Sequence, residues 1–339
     1  MYKKYTAIFM ALLATGHVDQ IAAAPVEIPS DDLSFEEQVA FFSEEKLGIR
    51  PFDKEIVTFG VRGCEISDVQ RAKFDNLLPI SSKAAKRSVK RHADFGLPVI
   101  DNNNGFESLL YHNDYVISYN TNLRVPLYAS YRLDKQDIVT GNRRDCFRED
   151  QRLITASRST YTDYDEPIYD RGHLVPVGDM HRKFSTSVNT FYYSNMMPQS
   201  ARFNQGVWKF LEASVRLWAV KRGSVHVLTG AIFDENGDGK RDPVSDAERI
   251  KPKKRVAKPT HFFKILIHKN ADGALESMAF LLPHTFKSIG KSLPYIRKKL
   301  TTIDEIEALA GYDFFPDLPA VEEKKLEAFK APDIWLRRP

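Results

Sequence analysis

Tyr169-Asp170-Arg171-Gly172-His173-Leu174-Val175-Pro176 sets a carboxylate, a guanidinium, a glycine and an imidazole in four consecutive positions, 170 to 173. Further polar groups follow closely: Ser194-Asn195, Pro198-Gln199, Asn204-Gln205 and Glu212. Phosphodiester cleavage needs a base for water, a cation for developing charge and a donor for the leaving oxygen. His173 suits the first role, because an imidazole titrates near neutrality. Asp170 or a nearby backbone carbonyl would hold the ring. Arg171 suits the second, being permanently charged and able to bond a phosphate bidentately.

No His/Cys cluster accompanies these groups, so zinc is not expected. A hard ion such as Mg²⁺ takes oxygen ligands, keeps several waters and is held by few side chains. Asn204 opens a helical pattern over 205–221, and Glu212 follows eight residues on. In an α-helix that is two turns along nearly the same face, about 12 Å of rise. The gap leaves room for water on the metal.

Working outward, residues 109–132 alternate as paired strands, 109–119 and 125–132, around a turn at Asn120-Thr121-Asn122. Short apolar strands are expected at 224–229, 261–268 and 280–282, and a second helix at 303–309. Strands and helices mix without a βαβ rhythm. That predicts an α+β fold, a central antiparallel sheet flanked by helices.

At the N-terminus Lys3 and Lys4 precede an apolar run, and Ala22-Ala23-Ala24 ends it before Pro25. This layout predicts a signal peptide over 1–24 and a secreted protein. The run is too short to span a membrane, and no membrane association is expected. A mitochondrial presequence is disfavoured because residues 1–24 hold no Arg. Residues 25–104 read as a leader or extension, with a helix over 34–46 opened by a capping box at Ser34 and Glu37. Residues 83–91 carry Lys83, Lys86, Arg87, Lys90 and Arg91 with no acid, a solvated or phosphate-touching helix face. The two cysteines, Cys64 and Cys146, could form one disulfide in an oxidising compartment.

A second candidate metal site is the run from Asp234 to Asp242. Oxygen ligands recur at Asp234, Asn236, Asp238 and Asp242, with the Lys240 carbonyl between, and Gly239 permits a tight turn. The first half resembles an EF-hand loop, which predicts structural Ca²⁺. The loop departs from the EF-hand at its twelfth position, Ser245, where a bidentate Glu would stand. The plain alternative is an Asx/Gly hairpin turn. Residues 249–258 form a basic cluster that would favour polyanions. The formal net charge of +4 permits such a partner without requiring one.

Residues 169–176 and the block Asn204-Gln205-Gly206-Val207-Trp208-Lys209-Phe210-Leu211-Glu212 resemble the two signature blocks of the DNA/RNA non-specific endonucleases, the ββα-metal family. The resemblance runs over about 105–320, leaving 321–339 as a C-terminal tail. It implies hydrolysis of DNA and RNA with one Mg²⁺ (or Mn²⁺), by a monomer or homodimer. His173 is then the general base, Asn204 the direct metal ligand, and Glu212 the group that orders water on the metal. Arg171 and Arg132 contact the phosphate, Asn195 helps hold the site, and Asp170 supports the motif. The stretches 190–195 and 228–239 also resemble the nuclease-like domain of nucleotide pyrophosphatase/phosphodiesterases, which is inactive and binds calcium. The rival expectation is therefore a non-catalytic, calcium-stabilised scaffold. The intact Asp170–His173 motif with Asn204 and Glu212 argues for the enzyme.

Overall fold

The computed structural model describes residues 26, 29–43, 46–47, 82–100, 106–141, 143, 145–289 and 292–336. The expected signal peptide and Cys64 lie outside them. The first element is helix α1 (Phe35–Phe41). Its capping box is present: Glu37 N–H donates to Ser34 Oγ, and Ser34 N–H to Glu37 Oε2 at 2.8 Å. The helix is shorter than the 34–46 expected, because the chain turns to bury Phe42 and Leu47. Helix α2 (Ser82–His92) follows. It leaves Lys83, Lys86, Arg87 and Lys90 exposed, while Arg91 pairs with Asp134 at 3.1 Å. Its other face docks by Ser88 and His92, both buried, against the carbonyls of His112 and Asn113.

Eleven strands are described: β1 (Val99–Ile100), β2 (Glu107–Tyr111), β3 (Val116–Asn120), β4 (Val125–Asp134), β5 (Tyr169–His173), β6 (Met196–Ser200), β7 (Ser224–Ile232), β8 (His261–Lys269), β9 (Leu275–Pro283), β10 (Leu300–Thr301) and β11 (Tyr312–Asp313). Seven of them form one antiparallel sheet in the order β10-β9-β8-β7-β4-β3-β2. The remaining helices are α3 (Phe184–Asn189), α4 (Lys209–Arg222), α5 (Leu293–Arg297), α6 (Ile303–Ala310) and α7 (Ala320–Glu327). This is the expected α+β class with a central antiparallel sheet.

Successive strand residues point to opposite faces. All of β3 and nearly all of β4 are buried, so both faces of the sheet centre are covered. Helix α4 is buried at every position from Phe210 to Val220, the mark of a helix sunk between layers rather than laid on a surface. Trp218 of α4 stacks on Phe280 of β9 at 5.9 Å. Beyond α7, Ala331 and Ile334 join the same core, so residues 321–336 pack with the body of the protein.

Two local readings are corrected. The strand expected over 109–119 is a hairpin, β2 and β3, because Asn113-Asp114 turns the chain and His112 N–H bonds the Tyr115 carbonyl at 2.9 Å. The helix expected over 205–221 begins differently. A short turn, Ala201–Phe203, runs into a wide π-turn, Asn204–Trp208, before α4 starts. Gly206 lies outside helical geometry within it, at φ −99° and ψ −111°. Wide turns of this kind recur at functional sites.

Candidate active site

Strands β5 and β6 pair with each other, apart from the seven-stranded sheet. Asp170 lies opposite Gln199, Gly172 opposite Met197 and His173 opposite Met196. The motif Asp170–His173 is therefore a strand, and its side chains divide between two faces. Gly172 is fixed by space: a Cβ there would come within 2.2 Å of the Gln199 amide. Gln199 is fully buried, and among the described residues neither its Oε1 nor its Nε2 has a hydrogen-bond partner. A buried amide without partners is costly, and it lies beside the motif.

Arg171 and His173 share one face. The Arg171 guanidinium sits 4.5 Å from the Phe147 ring and 5.0 Å from that of Tyr161. The His173 ring meets Phe191 edge-on at 4.8 Å. Its Nε2 is shielded from solvent and has no hydrogen-bond partner among the described residues. Burial holds the His173 pKa well below the ordinary histidine value, and the nearby charges of Arg143 and Arg171 add to this. The ring is thus neutral at pH 7, the state a general base requires.

Asp170 faces the other way. Its Oδ2 accepts Asn204 Nδ2 at 2.9 Å and Gln205 Nε2 at 2.9 Å. This turns the Asn204 carbonyl oxygen away from the bond, and no hydrogen bond engages that oxygen among the described residues. A free amide oxygen at a wide turn, next to a carboxylate, is a donor set that a hard cation accepts. The chemistry of the site therefore fits the metal that the sequence implied.

Asn195 is fully buried and clamps the chain after β5. Its Oδ1 accepts Val175 N–H at 2.9 Å, and its Nδ2 donates to the carbonyls of Val175 and Thr190. Glu212, on α4, is buried in a charged cluster at the sheet face. There Lys264 of β8 donates to Thr229 Oγ1 at 3.1 Å and lies 4.5 Å from the Trp208 ring. Burial pulls the Lys264 pKa down to about 8, against the opposing pull of Glu212 and Asp179.

Arg132 is engaged by neighbours on and beside β4. Its Nε donates to Asp134 at 2.7 Å and its Nη2 to Ser224 Oγ at 3.2 Å. It lines a cleft with Arg91, His92, Asp137 and Arg182. None of these belongs to the β5 motif. Asp134, two residues along on the same strand face, claims the guanidinium expected to meet phosphate. Arg143, which the sequence reading missed, is a second cation whose charge reaches His173; it pairs with Asp145 at 2.5 Å and stands 5.1 Å from the Phe191 ring.

The calcium-loop candidates fold onto their own backbone. Asp238 N–H donates to Asp234 Oδ1 at 3.1 Å and to Asn236 Oδ1 at 2.8 Å. Gly239 N–H donates to Asp234 Oδ2 at 3.2 Å, and Lys240 N–H to Asp238 Oδ1 at 3.0 Å. Asp242 closes the loop by accepting Glu235 N–H at 2.5 Å. The side chains of Asp234, Asn236, Asp238 and Asp242 thus each accept a backbone N–H within the loop. Cys146 is buried.

The sequence model of the DNA/RNA non-specific endonucleases matches residues 98–321. Mitochondrial endonuclease G of Homo sapiens is 32% identical over 232 residues, 67% of this chain and 74% of that protein. A venom phosphodiesterase of Macrovipera lebetinus is 25% identical over 294 residues, 79% of this chain but 34% of the relative. The crystal structure of an EndoG/EndoGI complex, described as showing the mechanism of EndoG inhibition, matches with a TM-score of 0.59 and 28% identity. The match covers 69% of this chain and 94% of the matched one. The expectation of secretion is overturned by these relatives. Endonuclease G from three species and nuclease EXOG are all named as mitochondrial. The missing Arg in residues 1–24 was a weak discriminator, since Lys3 and Lys4 carry the same charge. The chain belongs to the DNA/RNA non-specific endonuclease family, and is a nucleic-acid-hydrolysing enzyme of a family of metal-dependent nucleases.

Proposed function

We propose that the chain cuts both DNA and RNA within the strand, with His173 as general base and one Mg²⁺ or Mn²⁺ held at Asn204. The observation that carries this reading is the neutral His173 ring, its Nε2 shielded and unengaged, on a strand whose Asp170 orients Asn204. His173 takes the proton of the attacking water. Arg171 holds the scissile phosphate, and its charge, with that of Arg143, keeps the imidazole unprotonated. Asp170 fixes the Asn204 amide, whose oxygen would hold the ion. Glu212 orders water at the site. The ion supplies Lewis-acid stabilisation of charge on the phosphate and the leaving oxygen. Phosphate contacts carry no sequence information, which suits a non-specific enzyme. The catalytic unit spans about residues 105–320.

The test is incubation with plasmid DNA and with RNA, in Mg²⁺ or in EDTA. Degradation of both in Mg²⁺ and of neither in EDTA is expected. No degradation under any condition would favour the scaffold reading. The acid limb of kcat/KM should lie below pH 6.5, because the folded pKa of His173 is depressed. Arg143→Gln removes one of the charges that depress it, so the limb should move upward in pH. An unmoved limb would remove Arg143 from the site.

The Asp234–Asp242 loop is proposed to hold structural Ca²⁺, through Asp234, Asn236, Asp238, Asp242 and the Lys240 carbonyl. Its support is the alternating spacing of these residues and the backbone N–H bonds that four of their side chains accept within one loop. Ca²⁺ at about one hundred times its Kd would add about 2.7 kcal/mol of stability. Asp238→Ala should abolish this gain in a melting experiment. An equal Ca²⁺ response in the variant would return the loop to a plain Asx turn.

A further inference from the structure

Far along the chain from the nuclease motif, five carboxylates converge where α6, β11 and α7 meet. One oxygen each of Asp304, Glu307 and Glu327 lie within 4.8 Å of one another, and so do those of Asp313, Glu323 and Glu327. Glu327 belongs to both groups. It is 7% exposed, and its Oε1 is shielded from solvent with no hydrogen-bond partner. Glu307 is held in place by the Phe314 N–H, which donates to its Oε1 at 2.6 Å. Among the described residues no Lys or Arg forms an ion pair with any of the five.

We propose that this cluster is a divalent-cation site, built for Ca²⁺, with Glu327 as its central ligand. Ca²⁺ takes about six to eight oxygen ligands in a flexible geometry, carboxylates among them, whereas Mg²⁺ keeps several waters and uses one or two carboxylates. Two overlapping groups of three carboxylates suit the larger ion. Without an ion the cluster is under electrostatic load. Burial, with neighbouring carboxylates, pushes Glu307 up to about 7 and Glu327 up to about 8. A bound cation would bridge carboxylates that otherwise crowd one another. It would also tie α7 to α6 and β11, fixing the C-terminal segment that packs against the sheet.

Calcium binding to the full chain, measured by isothermal titration at about pH 8.5, tests the site. Wild type, Asp238→Ala and Glu327→Gln are compared. Glu327→Gln should bind one Ca²⁺ fewer per chain than wild type, and Asp238→Ala should keep that ion. Asp304 is exposed, so Asp304→Asn leaves folding untouched and should weaken the same event about tenfold or more, should the Glu327 variant fail to fold. In Ca²⁺-free buffer Glu327→Gln should melt at or above wild type, because it relieves the crowding of carboxylates. Ca²⁺ isotherms of Glu327→Gln and Asp304→Asn that match wild type would overturn the proposal.

Discussion

Replacing His173 by alanine is expected to lower kcat/KM on plasmid DNA by about 10²–10⁴-fold, the usual contribution of a positioned base. The ring packs against Phe191 and Phe147 on the face of β5 that also carries Arg171. Its low pKa follows from burial and from the two guanidiniums, so a proton is absent at pH 7 without help from a carboxylate. Alanine removes the base but leaves the β5–β6 pairing and the Asp170–Asn204 bond in place, so circular dichroism should be unchanged. A variant that retained activity within tenfold of wild type would sink the assignment.

Removing the carboxylate of Asp179 should cost about 3–5 kcal/mol of stability, the effect of stranding a buried charge. Arg216 Nη1 meets Asp179 Oδ1 at 2.7 Å, and both side chains are fully buried. Tyr131 donates its hydroxyl to the other Asp179 oxygen at 2.7 Å, and Arg216 Nε reaches the Phe42 carbonyl at 2.8 Å. The pair thus joins α4, the loop after β5, strand β4 and the N-terminal segment. Asp179→Ala should lower Tm by about 6–20 °C. The double variant Asp179→Leu, Arg216→Met should recover much of that loss, because no unpaired charge then remains. A single variant that melts within 2 °C of wild type would show that the charge of Arg216 is met elsewhere.

The strands were legible because each apolar run alternates or stays apolar between turn residues. The β2–β3 turn was lost because His112 and Tyr115 flank Asn113-Asp114 and extend the run's appearance. Within the site, the motif and the Asn204–Glu212 block were readable as ordered sets of residue types. Arg132 has a competitor, Asp134, a same-face partner that a one-dimensional motif does not weigh. Arg143 is far from the motif in sequence and reaches it only through the fold. One signal did exist for the buried charges. Lys264 interrupts Phe262-Phe263 and Ile265-Leu266-Ile267, and Arg216 stands between Val215 and Leu217. A cation in an all-apolar run must find a buried partner.

The wide turn at Asn204–Trp208 has a consequence for how this site can vary. Each residue of an α-helix advances the chain by about 100°. Deleting one residue there would restore an ordinary helix and swing Asn204 off Asp170, with every functional side chain still present. The spacing of Asn204 and Glu212 is therefore an angular setting as well as a length. Loss of function in this block can come from a change in count that leaves its composition intact.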